Sequence, residues 1–395
     1  MMKTKFGLRL AVASTALWLA ACGGGGGGGG ISGTGIEGSG GMRLLLTDAP
    51  ACGYDAVNIT VDRVRVNQDS NAVDGASGWS EIVLNPARRI NLLTLTNGVL
   101  DELGQTTLPA GKYTQLRLVL AANSGANPLA NAVTPTGASE TALTTPSGQQ
   151  SGIKLDVNMT VSSGQVADYV IDFDACKSIV KRGNSGNYNL KPVMTVIPYL
   201  GSTGQKVVGY VSTSLPLAST TVALQSGGVP VKATVPDSTG KFTLSPVPAG
   251  SYDLVVTSPG RVTAVMTAVP VSTSAVTTVN ASGTAILPPV ATTRAVSGTL
   301  TPATATVRAT QVLTAGPVIE VAWGAVDATT GAFSFDLPVE APVRTSYVLN
   351  PVTLNFAADA TAAGQYAVEA ASAGVIKSQA VNASAPVPPL VFSFP

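Results

Sequence analysis

The half of the chain beyond Gly201 is written twice. Val207-Val208-Gly209-Tyr210-Val211 is echoed by Ala295-Val296-Ser297-Gly298-Thr299-Leu300, and Asp237-Ser238-Thr239-Gly240-Lys241-Phe242 by Asp327-Ala328-Thr329-Thr330-Gly331-Ala332-Phe333. Ala249-Gly250-Ser251-Tyr252-Asp253-Leu254 returns as Ala363-Gly364-Gln365-Tyr366-Ala367-Val368, with extra sequence between about 337 and 360 in the second copy. The first two offsets are 89 and 90 residues, which describes a duplicated domain and not a solenoid. Each copy carries a glycine near a strand start, an Asp-x-x-Gly turn followed by an aromatic core residue, and an Ala-Gly-x-Tyr reversal into an alternating strand. The copies are placed at 205–286 and 294–395, the second more divergent, with Leu287-Pro288-Pro289 as a stiff link.

Composition agrees with a β-protein. Only 11% of residues are charged, and Val, Thr, Ser, Ala and Gly are in excess, which favours strands and turns over helices. A first domain is expected over 42–200. Val57, Ile59 and Val61 alternate onto one buried face, with Val64 on or near it. Further strands are predicted at 79–84, 114–120, 166–176 and 188–197, with a short apolar run at 89–95. Residues 123–151, rich in Asn, Ser, Thr, Gly and Pro, read as an exposed excursion. The expected fold class is therefore all-β: tandem β-sandwich domains after an N-terminal leader and tether.

That leader has the form of a signal peptide over residues 1–21. Lys3, Lys5 and Arg9 form a positive start, and Leu10–Ala20 is an eleven-residue apolar run, too short to span a bilayer. Leu19-Ala20-Ala21-Cys22 resembles the lipobox of bacterial lipoproteins, which implies lipidation of Cys22; an ordinary secretory cleavage with Cys22 incidental is the alternative. Under the same resemblance, Gly23 in place of the Asp that retains inner-membrane lipoproteins implies the outer membrane of a Gram-negative cell. Residues 23–30 are all glycine, and 22–41 as a whole reads as a tether, about 25 Å root-mean-square and about 65 Å at full stretch.

The residue inventory excludes several chemistries. There is no histidine, so Ser-His-Asp and Cys-His catalysis and His-ligated metal sites are absent. No phosphate-binding loop signature and no Cys-x-x-Cys occur. Removing the leader takes away three of the 23 basic residues, leaving 20 against 22 acidic, a formal charge of −2 with no basic stripe; nucleic acid is not an expected partner. In an oxidising compartment Cys52 and Cys176 are expected to pair, closing a loop worth roughly 4 to 5 kcal/mol in the chain-entropy picture, with two unpaired thiols as the alternative.

One acidic cluster could carry chemistry. Asp172 and Asp174, two apart on a strand, leave the same face, and a Cys52–Cys176 bridge would draw Asp48 and Asp55 towards them. Such acids are weak calcium candidates (Asp48, Asp172, Asp174), yet carboxylates beside turns more often accept backbone N–H bonds or pair with cations, for which Lys154, Lys177 and Arg182 are at hand. A glycosidase dyad is less favoured, because only Trp79 and Trp323 remain as tryptophans and they fall in different domains. Trp79 reads as a core or half-buried strand residue, and Tyr252 and Tyr366 as rings packed beneath turns with hydroxyls on backbone.

Two resemblances extend this reading. Leu46-Thr47-Asp48-Ala49-Pro50, Pro109-Ala110-Gly111-Lys112-Tyr113-Thr114-Gln115, Ser151-Gly152-Ile153-Lys154, Asp172-Phe173-Asp174-Ala175-Cys176-Lys177-Ser178-Ile179-Val180 and Leu190-Lys191-Pro192-Val193 resemble the signatures of domain of unknown function 4382, a family found in bacterial lipoproteins. It implies a domain over about 42–198 and no particular activity. The duplicated units resemble carboxypeptidase regulatory-like, prealbumin-type β-sandwiches, which serve as spacers or accompany sugar binding. The expected role is a non-enzymatic one: a stalk, adhesion or carbohydrate-binding surface, attached through lipid on Cys22, with a carbohydrate or envelope protein as partner and no cofactor. The competing class is an envelope enzyme or calcium-dependent assembly factor working through Asp48, Asp172 and Asp174.

Overall fold

A computed structural model describes residues 38–48, 53–146, 148, 151–201 and 203–395. The leader, Cys22, most of the tether and Cys52 lie outside the described residues. All described residues fall in one compact unit, Glu37–Pro395, built almost entirely of strands as expected. Among them no helix is long and apolar enough to cross a membrane.

The first sandwich comprises β1 (Ser39–Asp48), β2 (Tyr54–Asn67), β3 (Ser80–Asn91), β4 (Asp101–Pro109), β5 (Gly111–Leu120), β6 (Ala132–Pro135), β7 (Thr141–Thr144), β8 (Ile153–Val161), β9 (Val166–Phe173), a single helical turn α1 (Ala175–Ser178), β10 (Ile179–Lys181), β11 (Tyr188–Leu190) and β12 (Met194–Pro198). One sheet runs β12-β9-β1-β4, with β1 and β9 parallel; the other runs β10-β11-β7-β6-β2-β5-β8, with β3 also on β2. Leu44, Leu46, Ile171 and Phe173 from the first sheet meet Ile59, Val61, Leu116 and Leu118 from the second in one core. On β2 the buried hydrophobic positions are 57, 59 and 61, then 64 and 66. A bulge between Val61 and Arg63 causes this change of parity by inserting one residue into the pleat.

Two expectations change here. The 123–151 stretch is not only an excursion, because β6 and β7 extend the larger sheet and bury Ala132, Val133 and Leu143 completely. The predicted strand over 166–176 stops at Phe173, where Asp174 caps α1 instead of continuing the ladder. The predicted 188–197 strand likewise divides into β11 and β12.

The repeats are β13 (Lys206–Tyr210), β14 (Thr221–Ser226), β15 (Val229–Thr234), β16 (Lys241–Leu244), β17 (Gly250–Thr257), β18 (Ala264–Val271) and β19 (Val276–Thr278), followed by β20 (Thr293–Thr301), β21 (Thr306–Val312), β22 (Val318–Gly324), β23 (Ala332–Pro338), β24 (Val343–Ser346), β25 (Ala357–Ala358), β26 (Gln365–Ser372), β27 (Val375–Asn382) and β28 (Leu390–Ser393). The small sheets β16-β13-β19 and β23-β20-β28 have the same order, as do the larger paths β15-β14-β17-β18 and β22-β21-β26-β27. The repeated motif now has a reason. Gly209 and Gly298 lie opposite Phe242 and Phe333, and a Cβ on either glycine would come within 2.6 Å of the facing ring. The turn aspartates Asp237 and Asp327 accept backbone N–H bonds from Thr239 and Lys241, and from Thr329 and Thr330; burial is the largest single effect and raises both carboxyls, but the hydrogen bonds together outweigh it and hold both below their usual range.

The extra sequence of the second copy does not stay with it. β24 pairs in parallel with β18, and β25 pairs with β24, so the insertion completes a six-stranded sheet in the first copy. Tyr347, Leu354 and Phe356 pack against that copy's core. The three sandwiches also pack on one another. Val255 and Val265 from one repeat join Leu313, Ile319 and Ala362 from the other in a separate apolar cluster. Backbone bonds such as Ala328 N–H to Lys181 carbonyl join the third sandwich to the first.

Candidate functional site

Four of the charged residues that sequence reasoning singled out, Asp48, Asp172, Asp174 and Lys177, lie where the three sandwiches meet. Asp172 ends β9 on the side turned towards the second sandwich. There Lys232 from β15 places its Nζ 2.6 Å from Asp172 Oδ1, with the two side chains only 1% and 9% exposed. Lys232 sits in Val229-Pro230-Val231-Lys232-Ala233-Thr234, where a strand alternation turns a lysine inwards; in isolation that would be costly, and the carboxylate supplies its partner. Asn97 adds neutral support, donating its backbone N–H to Thr234 Oγ1 at 2.7 Å and accepting from the Thr243 N–H.

Asp174 serves its own chain. Its carboxylate accepts the Lys177 N–H at 2.9 Å, capping α1. Burial raises its carboxyl to about 6, opposed by Lys177, whose ammonium is 4.0 Å away, and by the N–H it accepts. Lys177 then reaches the third sandwich, with Nζ 3.1 Å from Glu320 Oε1 and 4.7 Å from the Trp323 ring centroid. Glu320 is also 3.6 Å from Arg308, which bonds Glu369 at 2.8 Å and the Gly228 carbonyl at 2.8 Å. The Gln225 side-chain amide of the second sandwich pairs with both backbone groups of Glu320, at 2.8 and 2.7 Å. A cleft of about 240 Å³ opens here, lined among others by Asp174, Lys177, Thr257, Glu320 and Trp323.

Asp48 is the third acid of the cluster. It is 1% exposed and accepts the Ala175 N–H at 2.9 Å through Oδ1, while its buried Oδ2 has no hydrogen-bond partner. Burial pushes its carboxyl well above the usual range, opposed by the Ala175 bond and reinforced by Asp174 and Asp172. A neutral acid is the state such surroundings favour. The four expected acids are not gathered at one point: Asp55 lies on β2, with its carboxylate 3.3 Å from the Gly137 N–H, and among the described residues no group of three or more Cys, Asp or Glu side chains is placed to hold a metal ion. Of the expected partners, Lys177 does meet Asp174. Lys154 faces Asp156 at 3.6 Å, and Arg182 donates its backbone N–H to the Asn187 carbonyl.

Cys176 is disulfide-bonded and contributes to the wall of the cleft; Cys52 lies outside the described residues. Trp79 is half-buried just before β3, with the guanidinium carbons of Arg65 and Arg117 at 4.5 and 4.7 Å from its ring and its Nε1–H on the Val73 carbonyl. Tyr252 and Tyr366 are buried and donate their hydroxyls to the carbonyls of Pro248 and Pro338. Tyr113 does the same to Pro109, so Pro-Ala-Gly-x-Tyr builds one corner in the first sandwich and again in the second. Sequence reasoning missed Lys232, Arg308, Glu320 and Gln225. The available signal was a charged residue inside an otherwise apolar strand, at Lys232 and in Val318-Ile319-Glu320-Val321.

Residues 39–192 match the family described as "Domain of unknown function (DUF4382)". No curated protein matches the chain. Among solved structures, it is similar to an N-terminal interface mutant of a type II cohesin–X-dockerin complex from Acetivibrio cellulolyticus, at 28% identity over 22% of this chain and 59% of that one, with a TM-score of 0.19. A C-terminal interface mutant of the same complex gives 28% identity over 21% and 56%, with a TM-score of 0.18. A streptococcal ancillary pilin gives 10% identity over 90% of this chain and 98% of that one, with a TM-score of 0.16. TM-scores this low do not establish a shared fold.

Proposed function

We propose that the protein is a lipoprotein of the cell envelope, anchored through Cys22 to the outer membrane, whose three sandwiches form a non-enzymatic binding or structural body. The observation that carries this reading is the junction. Asp172 with Lys232 and Glu320 with Lys177 are ion pairs made across sandwich boundaries, so two buried pairs hold the first sandwich to the second and the third. The repeats resemble prealbumin-type units used as spacers or beside sugar-binding modules, and the partner class that follows is a carbohydrate or another envelope protein. The Cys52–Cys176 bridge is part of the proposal and would tie the connection between β1 and β2 to α1.

External protease on intact cells tests orientation. Release of the body supports a surface role, and complete protection would replace it with a periplasmic one. A glycan array probed with residues 42–395 that shows no binding would remove the carbohydrate version.

A second reading is favoured by one observation, the unpartnered Oδ2 of Asp48 beside two further acids. It makes the cluster the working part of a carboxylate-dependent enzyme or calcium-dependent assembly factor. Asp48→Asn, Asp172→Asn and Asp174→Asn combined, if folded but stripped of a measured activity or of calcium-dependent stabilisation, would establish it over the first.

A further inference from the structure

The segment that leaves the third sandwich to lend β24 and β25 to the second has an unusual tip. From 345 to 358 it carries no charged residue, and its ten central residues are Tyr347-Val348-Leu349-Asn350-Pro351-Val352-Thr353-Leu354-Asn355-Phe356. Tyr347, Leu354 and Phe356 are the roots, packed on the second core. Val348, Leu349 and Val352 point away, 61%, 71% and 88% exposed. Three large exposed aliphatics within five residues, above roots packed on a core, are the reverse of ordinary surface scatter.

The strand registers say which way the tip points. Gly41 of β1 pairs with Val166, and Tyr199, just past β12, donates to the Asp168 carbonyl, so the point where the N-terminal segment joins the body and the connector to the second sandwich share one end of the first. The connector arrives at Gln205, whose N–H bonds the carbonyl of Ser272 just beyond β18. β24 runs parallel to β18, pairing Thr267 with Ser346, and Tyr347 donates to the Thr267 carbonyl. The tip therefore continues towards the end of the second sandwich where the connector enters. Leu200, on that connector, is itself 63% exposed.

We propose that Val348, Leu349 and Val352 form a second membrane contact, inserting into the boundary between headgroups and acyl chains of the bilayer. An uncharged tip this exposed, directed to the end where the connector enters, suits a lipid surface, which closes around exposed aliphatics, better than a folded partner, which would need a matching groove. That it adds to a lipid anchor rests on the lipoprotein reading, but the contact itself can be tested without it.

The test uses the mature chain carrying Cys22→Ser, hence free of acyl chains, in flotation with vesicles of phosphatidylethanolamine and phosphatidylglycerol at 3:1. The protein is expected to float with the lipid. Val348→Ser, Leu349→Ser and Val352→Ser together should lower the bound fraction at least about tenfold, since burying one such side chain is alone worth about that factor. The urea midpoint should not change, because none of the three packs on a core. Failure of the parent chain to float, or equal flotation of the triple variant, overturns the proposal. So does a parent that dimerises through the tip without binding vesicles, which would make a second copy the occupant. Absence of lipid on Cys22 would end the anchoring reading and leave the flotation result standing.

Discussion

Replacing Lys232 by Met should cost far more than its size suggests. The methionine fills most of the volume, yet it leaves Asp172, with a side chain 9% exposed, facing an apolar group where an ammonium stood 2.6 Å away. Breaking a buried pair from one side typically costs about 3 to 5 kcal/mol. Asp174 lies close enough to repel the orphaned charge, which places Lys232→Met in the upper part of that range. Lys232→Met with Asp172→Leu removes both charges and should recover most of the loss, because an apolar replacement of a buried pair is often neutral or stabilising. Urea unfolding followed by tryptophan fluorescence suits the mature chain, which holds only Trp79 in the first sandwich and Trp323 at the junction. The early loss should appear at Trp323. A single variant costing less than about 1 kcal/mol, or a double variant as damaged as the single, would refute the claim that this pair locks the first two sandwiches.

Asp174 makes a pH prediction. With its carboxyl at about 6 in the folded chain and the ordinary value of 3.8 unfolded, the folded state binds the proton more tightly, so stability falls as pH rises from about 4 to 6, by at most about 3 kcal/mol. Asp174→Asn keeps the cap and should reduce that slope in urea midpoints taken across the window, leaving the part that the buried, raised carboxyl of Asp48 contributes in the same direction. Tyr113→Phe and Tyr252→Phe each delete one hydroxyl-to-carbonyl bond and should cost about 1 kcal/mol by thermal or urea unfolding. Gly209→Ala and Gly298→Ala drive a methyl into Phe242 and Phe333, and should cost about 1 to 3 kcal/mol each; a neutral result at either would mean that the ring is not fixed against its glycine.

The parts of the fold legible in the sequence were those set by local chemistry. Asp237 and Asp327 with their following glycines mark turns, Pro-Ala-Gly-x-Tyr marks a corner, and both repeats adopt one strand order. What escaped depends on distant partners. β6 and β7 hide in an Asn- and Ser-rich stretch because side-chain amides organise it: Asn131 bonds the Thr60 N–H and the Ala121 carbonyl, and Asn123 bonds the Asn131 and Leu143 carbonyls. Nothing in local propensity encodes those bonds. The insertion of the second repeat could be seen as extra sequence, but not that its strand pairs with β18, whose partner positions lie nearly 80 residues earlier. Of the acidic cluster, Asp174 with Lys177 was readable at a spacing of three. Lys232, 60 residues from Asp172, and Glu320, 143 from Lys177, become neighbours only once the sandwiches pack.

The account rests most on Cys22, and lipid attachment there can be measured directly. Cells expressing the full chain are fed an alkyne analogue of palmitate, and the purified protein is probed for label alongside Cys22→Ser. The account predicts label on the parent, none on the variant, and a shift of the variant from the membrane to the soluble fraction. An unlabelled parent, or a variant that keeps both label and membrane association, would contradict it.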